Sequence, residues 1–316
     1  MLCAREHDVR LWARKPEIAE AINREHRNPS YLSDFELPES LRASSDLAEV
    51  LAGRELVICA VPSHGVRSVM QSAASYLEEG AIVVSTVKGI EQDTCMRMDQ
   101  VLEEVLGAVH APKLVFLSGP SFAREIADER PTAVTVACRE EVYAISVQES
   151  ISSPWLRCYS TQDVVGVELG GALKNVAAIA VGICDGLELG LNARASVMTR
   201  GLREITRLGT HLGADPLTFL GLAGVGDLVL TCTGDLSRNR RVGLELGRGR
   251  PLQEVLGAMN EVAEGVRTTR AACELGRRHG VELPISNMVD AILNGTVQPS
   301  EAVERIMRRQ LRSENE

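Results

Sequence analysis

The sequence has 316 residues, 45% of them hydrophobic, which is enough for two globular domains with buried cores. Its 34 basic and 43 acidic residues give a formal net charge of −9, which argues against a nucleic-acid-binding surface. The cysteines and histidines lack the spacing of metal or redox motifs, and no apolar run approaches the ~20 residues that span a bilayer. We therefore expect a soluble cytoplasmic protein with no metal site, no disulfide framework and no membrane span.

The first half of the chain alternates short apolar strands with amphipathic helices. Strands are predicted at residues 8–13, 56–61, 81–87, 114–117 and 132–137, and helices at 17–24, 46–51, 63–77, 95–106, 122–127 and from 140. Buried strands between such helices are typical of a parallel sheet covered on both faces. The pattern predicts an α/β fold, a doubly wound parallel Rossmann sheet that forms a dinucleotide-binding domain over residues 1–162.

The second half shows only helical periodicity. Helices are predicted at residues 167–183, 193–212, 216–223, 240–247, 252–258, 265–279, 284–293 and 299–310. This predicts a second, all-helical domain over residues 163–316, which we expect to bind substrate.

The stretch Glu168–Asn175 contains an unusual interruption of an apolar helix. Lys174 and Asn175 follow a helical stripe of apolar residues that continues beyond them. Burial of an ammonium costs several kcal/mol unless it is paired or neutral, so Lys174 either extends to solvent or performs chemistry. Gly170 and Gly171 allow a backbone or a ligand to approach the helix, which favours the second hypothesis.

Eight short stretches occur along the chain in the order found in one enzyme family. They are Arg10–Arg14, Val61–Ser63, Thr86–Gly89, Ser118–Glu125, Glu168–Asn175, Gly224–Asp227, Thr231–Thr233 with Ser237–Asn239, and Ala263–Gly265. In these stretches the sequence resembles the bacterial NAD(P)-dependent glycerol-3-phosphate dehydrogenases. The resemblance implies a homodimer that interconverts sn-glycerol 3-phosphate and dihydroxyacetone phosphate and supplies glycerol 3-phosphate for membrane phospholipid synthesis.

The resemblance also assigns roles to residues that could bind substrate. Lys174 matches the family's general acid/base, and a neighbouring cation such as Lys88 would lower its pKa. The residues implied in substrate binding are Lys88, Gly119, Ser121, Lys174, Asp227, Ser237, Arg238 and Asn239. Without the resemblance, simpler roles remain open: a solvated lysine at Lys88, a helix cap at Ser121, an Asx-turn at Asp227 and a solvated basic helix start after Ser237.

The cofactor is expected to be NADP(H) or NAD(H). Arg14 and Lys15 follow a strand where NAD-specific Rossmann domains usually have an acidic residue, and their positive charge suits the 2′-phosphate of NADP(H). The other residues implied in cofactor binding by the resemblance are Lys88, Ala123, Arg238, Val262 and Glu264.

The family's opening strand and G-x-G-x-x-G loop have no counterpart in the sequence as given. We therefore expect a Rossmann sheet that is incomplete at its N-terminus. An alternative function follows, namely a truncated remnant that binds no cofactor and acts only as a binding or dimerisation module. A dehydrogenase of another hydroxy acid is a third hypothesis, although Ser237–Asn239 favours a phosphorylated substrate.

Overall fold

The computed structural model describes residues 7–259, 263–311 and 313–314. The chain divides into two compact units. The first contains the residues up to 87 together with 98–164, and the second contains 88–97 together with 165–316. Residues 88–97 thus group with the second unit, although they lie within the first half of the sequence.

The first unit contains two sheets. Its strands are β1 (Arg10–Trp12), β2 (Arg42–Ser44), β3 (Leu56–Cys59), β4 (Ile82–Ser85), β5 (Leu114–Ser118), β6 (Thr132–Ala137) and β7 (Leu156–Thr161). β1 and β2 form a parallel pair, and β3 to β7 form a five-stranded sheet in sequence order. The largely buried, apolar strands β4 and β5 lie inside this sheet, as the apolar runs predict.

The α/β prediction is confirmed, but the sheet is not wholly parallel. β6 runs antiparallel to β5, whereas the other pairs of this sheet are parallel. Residues 119–131 between β5 and β6 contain only a five-residue helix, which is short for the helix that normally covers a parallel crossover. The sequence analysis also missed β2 and β7, because neither contains a continuous apolar run.

Helices separate the strands of the first unit. They are α1 (Pro16–Glu25), α2 (Leu47–Leu51), α3 (Val66–Ala73), α4 (Met98–Leu106), α5 (Ala123–Ala127) and α6 (Glu141–Ile151). Asp46 caps α2 by accepting a hydrogen bond from the Ala48 amide, as its position predicts. The predicted helix 63–77 is a shorter α3 between two 3₁₀ turns.

The described part of the second unit is helical beyond residue 164, which confirms the prediction. Its helices are α7 (Val164–Gly186), α8 (Gly190–His211), α9 (Asp227–Thr233), α10 (Arg238–Gly247), α11 (Leu252–Gly257), α12 (Glu264–His279), α13 (Pro284–Leu293) and α14 (Pro299–Met307). Helix α9 was not predicted. It follows a 3₁₀ turn at Pro216–Leu220 and a π turn at Leu222–Gly226.

Helix α7 bears on the expectation that the chain has no membrane span. By length and composition it could cross a bilayer, which the sequence analysis did not predict because it measured uninterrupted apolar runs. However, 94% of its most apolar window is buried inside the protein. This burial is typical of a core helix.

Helices α7 and α10 pack at backbone distance through glycines spaced four residues apart. A Cβ on Gly182 would lie 2.0 Å from the carbonyl oxygen of Arg240, and one on Gly243 would lie 2.0 Å from that of Ile179. Gly186 and Gly247 make similarly close approaches to the facing helix. This contact packs α10 along its length against the C-terminal part of α7.

We expect Gly243→Ala to destabilise the protein by about 2 to 3 kcal/mol, because the new methyl group meets backbone that cannot move aside. Urea unfolding measures the change. Gly257→Ala on α11 is the matched control, since its Cβ meets nothing within 4 Å, and its stability should be unchanged or slightly higher. Equal stability of the two variants would contradict the proposed close contact.

Candidate active site

Two lysines of the second unit share one buried carboxylate. Lys174 projects from α7 and donates from Nζ to Oδ1 of Asp227 at 2.6 Å. Lys88 donates from its Nζ to Oδ2 of the same residue at 2.7 Å. Asp227 is 1% exposed and begins α9. The structure therefore brings together three of the residues that the resemblance implies in substrate binding.

Burial changes the acid strength of Lys174. The side chain lies in the core and the residue is only 7% exposed. Burial, together with the positive charge of Lys88, lowers the pKa of Lys174 to about 8, although the Asp227 carboxylate acts in the opposite direction. An amine with this pKa can both donate and accept a proton near neutral pH.

Thr231 completes the site and has no role in the sequence analysis. Its hydroxyl accepts a hydrogen bond from Lys174 Nζ at 2.6 Å and donates to Asp227 Oδ1 at 3.3 Å. It lies one turn after Asp227 on α9. Because α9 was not predicted, the i, i+4 spacing of these residues went unused.

A chain of amide contacts connects the site to other helices. The Asn239 amide nitrogen donates to Asn175 Oδ1 at 2.9 Å, and Asn239 Oδ1 accepts from the Gly265 amide at 2.9 Å. A Cβ on Gly265 would lie 2.7 Å from the Asn175 carbonyl oxygen, so this position requires glycine. Asn239, predicted to bind substrate, is thus also part of the scaffold.

Three of the simpler hypotheses are wrong. Lys174 does not extend to solvent, because its ammonium is paired inside the core. Lys88 is an ion-paired lysine with a side chain that is 20% exposed, and not a solvated one. Asp227 forms ion pairs with both lysines at the start of α9, which an Asx-turn does not explain.

Gly170 explains part of the glycine pair on α7. A Cβ at this position would lie 2.5 Å from the Ala223 carbonyl oxygen, so the π turn before α9 contacts α7 through backbone. The sequence analysis predicted that another backbone or a ligand comes close to the helix at these glycines. The close approach of another backbone is observed at Gly170.

Other predicted residues of the second unit lie at helix starts. Ser237 is buried and caps α10 by accepting from the Arg240 amide, while Arg238 is exposed on the first turn. Glu264 begins α12 and is partly exposed. Val262 lies outside the described residues.

The first unit contains the remaining candidates, after the carboxyl ends of its strands. Gly119 follows β5 with φ +136°, and a Cβ there would lie 3.0 Å from Val134 Cα. Ser121 donates to the Gly119 carbonyl at 2.9 Å and does not cap α5, whose N-cap is Phe122, so that simpler role is wrong. Ala123, at the start of α5, is exposed.

Two observations fit a dinucleotide on the first unit. Arg14 and Lys15 are exposed directly after β1, where cations can meet a phosphate. The Ser118 hydroxyl at the end of β5 is buried and has no hydrogen-bond partner within the described part of the chain. Such a hydroxyl suits a polar ligand atom.

Family comparison covers both halves of the chain. Residues 1–144 match the model of the NAD-dependent glycerol-3-phosphate dehydrogenase N-terminus, and residues 163–304 match the model of its C-terminus.

Individual relatives agree with the family models. The chain is 51% identical to the glycerol-3-phosphate dehydrogenase (NAD(P)+) of Syntrophotalea carbinolica, over 99% of this chain and 94% of that protein. It is 50% identical to the protein of the same name from Myxococcus xanthus, over 97% and 92%. The crystal structure of glycerol-3-phosphate dehydrogenase from Coxiella burnetii superposes with a TM-score of 0.92 at 35% identity, covering 98% of this chain and 94% of that one.

Proposed function

The chain belongs to the NAD-dependent glycerol-3-phosphate dehydrogenase family, and from this premise we propose that Lys174 is its proton-transferring residue. The enzyme interconverts sn-glycerol 3-phosphate and dihydroxyacetone phosphate with NAD or NADP as cofactor. The buried Lys174 ammonium between Asp227 and Thr231 is the observation that supports the role most strongly.

The nicotinamide cofactor, when bound, supplies or accepts the hydride at C2 of the substrate. In the reduction, the Lys174 ammonium donates a proton to the C2 oxygen, and in the oxidation the neutral amine accepts it. Asp227 and Thr231 orient Nζ through their hydrogen bonds, so that little motion is needed before proton transfer. The positive charge of Lys88 favours the neutral amine and attracts the anionic substrate.

We assign the remaining candidates by their chemistry. Ser237, Arg238 and Asn239 offer a hydroxyl, a guanidinium and an amide to the substrate phosphate. Gly119 and Ser121 are assigned to substrate as well. Those assigned to the cofactor are Arg14, Lys15, Lys88, Ala123, Arg238, Val262 and Glu264. The cations at Arg14 and Lys15 favour NADP(H) over NAD(H).

Residues 1–162 then form the dinucleotide-binding domain and residues 163–316 the substrate domain, to which we add residues 88–97. We further propose a homodimer in the cytoplasm that supplies glycerol 3-phosphate for phospholipid synthesis. The free thiols of the cysteines within the described residues fit a reducing compartment.

The truncated-remnant alternative is not favoured, because the match extends over 94% of a relative's length.

The proposal predicts strong selection for the substrate phosphate. With NADPH or NADH, kcat/KM for dihydroxyacetone phosphate should exceed that for dihydroxyacetone by at least ~100-fold, because the phosphate adds charge-assisted hydrogen bonds. Loss of reduced-nicotinamide absorbance measures both rates. Arg238→Ala should remove much of the difference, whereas Arg241→Ala, at an exposed arginine on the same helix, should retain it. Equal rates with the two ketones, or preference for a 2-keto acid, would contradict the proposal.

A further inference from the structure

The segment Lys88–Arg97, which we call the 88–97 loop, is closed on itself. Ile90 and Arg97 form an antiparallel bridge across its base. The Glu91 amide donates to the Met96 carbonyl at 2.9 Å, and the Cys95 amide donates back to the Glu91 carbonyl at 2.9 Å. These contacts tie residues 90–97 into one closed turn, and Lys88 lies two residues before it.

Apolar and polar contacts attach this loop to the second unit. Ile90 and Cys95 are buried in the core cluster that contains Leu169 and Leu173 of α7. Arg278 of α12 donates to the Thr94 carbonyl at 3.2 Å. These contacts hold the tip and body of the loop.

A buried ion pair lies at its far end. Arg97 Nε lies 3.7 Å from Glu168 Oε2, and the two side chains are only 13% and 5% exposed. Glu168 lies on α7, less than two turns before the catalytic lysine. At the other end of the loop, the Asn175 amide nitrogen lies 3.5 Å from the Lys88 carbonyl oxygen. One stretch of α7 thus contacts both ends of the loop.

We propose that the ion pair between Arg97 and Glu168 is a positioning device, which holds the 88–97 loop on α7 so that the Lys88 ammonium stays beside the catalytic lysine. This inference rests on the proposed role of Lys174. A buried pair adds little net stability compared with apolar residues of equal volume, but loss of one partner leaves an uncompensated charge. The proposed role of the Arg97–Glu168 pair is to fix the position of the 88–97 loop on α7.

The geometry matters because of the charges that surround Lys174. They are Lys88 on the loop and Asp227 on α9; the nearby Cys232 thiol is neutral, because burial raises its pKa to about 12. The Lys88 charge lowers the pKa of Lys174, and a repulsion between ammonium groups weakens as they separate. If loss of the Arg97–Glu168 pair lets the Lys88 ammonium shift away from Lys174, the titration of Lys174 should move to higher pH.

The chain has four lysines, at 15, 88, 113 and 174, so their titrations can be followed by NMR after incorporation of carbon-13-labelled lysine. Lys→Arg variants assign the signals. In the unaltered protein the Lys174 signal should titrate near its pKa of about 8. In Glu168→Gln its midpoint should rise by about half a pH unit or more, and oxidation of glycerol 3-phosphate at neutral pH, which needs the neutral amine, should fall by about threefold.

Glu301→Gln is the matched control, because it breaks the exposed pair with Arg305 on α14 and should leave the Lys174 midpoint in place. If Glu168→Gln does not fold, Arg97→Lys takes its place, since it keeps a cation but loses the guanidinium fork, and a smaller rise is expected. An unchanged Lys174 midpoint in the folded variant overturns the proposal, even if its melting temperature falls.

The titration needs no substrate, so the two proposals fail separately. If the unaltered protein does not reduce dihydroxyacetone phosphate but the Lys174 midpoint still rises in Glu168→Gln, the positioning role stands and the proposed function falls. If the unaltered protein is active and the midpoint does not move, the positioning role alone is wrong.

Discussion

Replacement of Lys174 by methionine should lower kcat for reduction of dihydroxyacetone phosphate by at least ~100-fold, because it removes the proton donor at the reacting oxygen. Methionine has a similar length and no charge, so the core around α7 keeps its packing. Binding of NADPH, measured by isothermal titration, should remain nearly unchanged. The matched control is Lys113→Met, at a lysine that binds the Glu79 carbonyl, and its turnover should be close to that of the unaltered protein.

The pH dependence of the two reaction directions tests the same residue, because reduction and oxidation should change in opposite directions. The pKa of Lys174 is lowered from 10.5 to about 8. Reduction requires the ammonium, so its rate should be level at low pH and fall as pH rises through about 8, whereas oxidation requires the amine and should rise through the same pH. Both limbs should be absent from the residual activity of Lys174→Met. Turnover within tenfold of the unaltered protein would contradict the assignment.

Much of the site could be predicted because its residues interrupt simple patterns. Lys174 interrupts a buried helix, Lys88 follows an apolar strand, and Asp227 follows a glycine-rich turn. Burial of the first was one of two hypotheses, with Lys88 as the cation beside it, and the structure contains both. What the sequence did not show was the single carboxylate that pairs with both lysines.

The missed features depend on backbone proximity or on local distortion, which periodicity does not report. Thr231 was missed because the glycine-rich stretch before α9, which forms a π turn, was interpreted as a loop, and no helix was predicted after it. The close glycine contacts between α7 and α10 involve residues distant in sequence, so neither helix alone reveals them. The 88–97 loop was missed because its end was assigned to the helix that begins at Met98.

Replacement of Asp227 by asparagine should destabilise the protein by about 3 to 5 kcal/mol at about pH 6, because a buried ammonium loses its counter-charge. Asparagine has the same shape, so the effect is mainly electrostatic. The carboxylate raises the pKa of Lys174, and its loss should lower that pKa below the present value of about 8. A smaller fraction of Lys174 then carries its proton at neutral pH, and its orienting partner is also lost, so we expect ketone reduction to fall by at least ~10-fold.

The pH dependence of this destabilisation gives the decisive comparison. Between its pKa in the folded protein and that in the unfolded chain, near 10.5, Lys174 binds fewer protons when folded, so stability increases with pH in that window. In Asp227→Asn the folded-state pKa of Lys174 is lower, so stability begins to increase at a lower pH. The loss of unfolding free energy relative to the unaltered protein should therefore be smaller at about pH 9 than at about pH 6. Urea unfolding at both pH values measures it. Asp235→Asn, at a carboxylate that is 98% exposed and pairs with Arg240, should change stability by less than about 1 kcal/mol at either pH. If Asp227→Asn loses the same unfolding free energy at both pH values, the carboxylate contributes only packing and hydrogen bonds. The negative charge of Asp227 then does not stabilise the Lys174 ammonium.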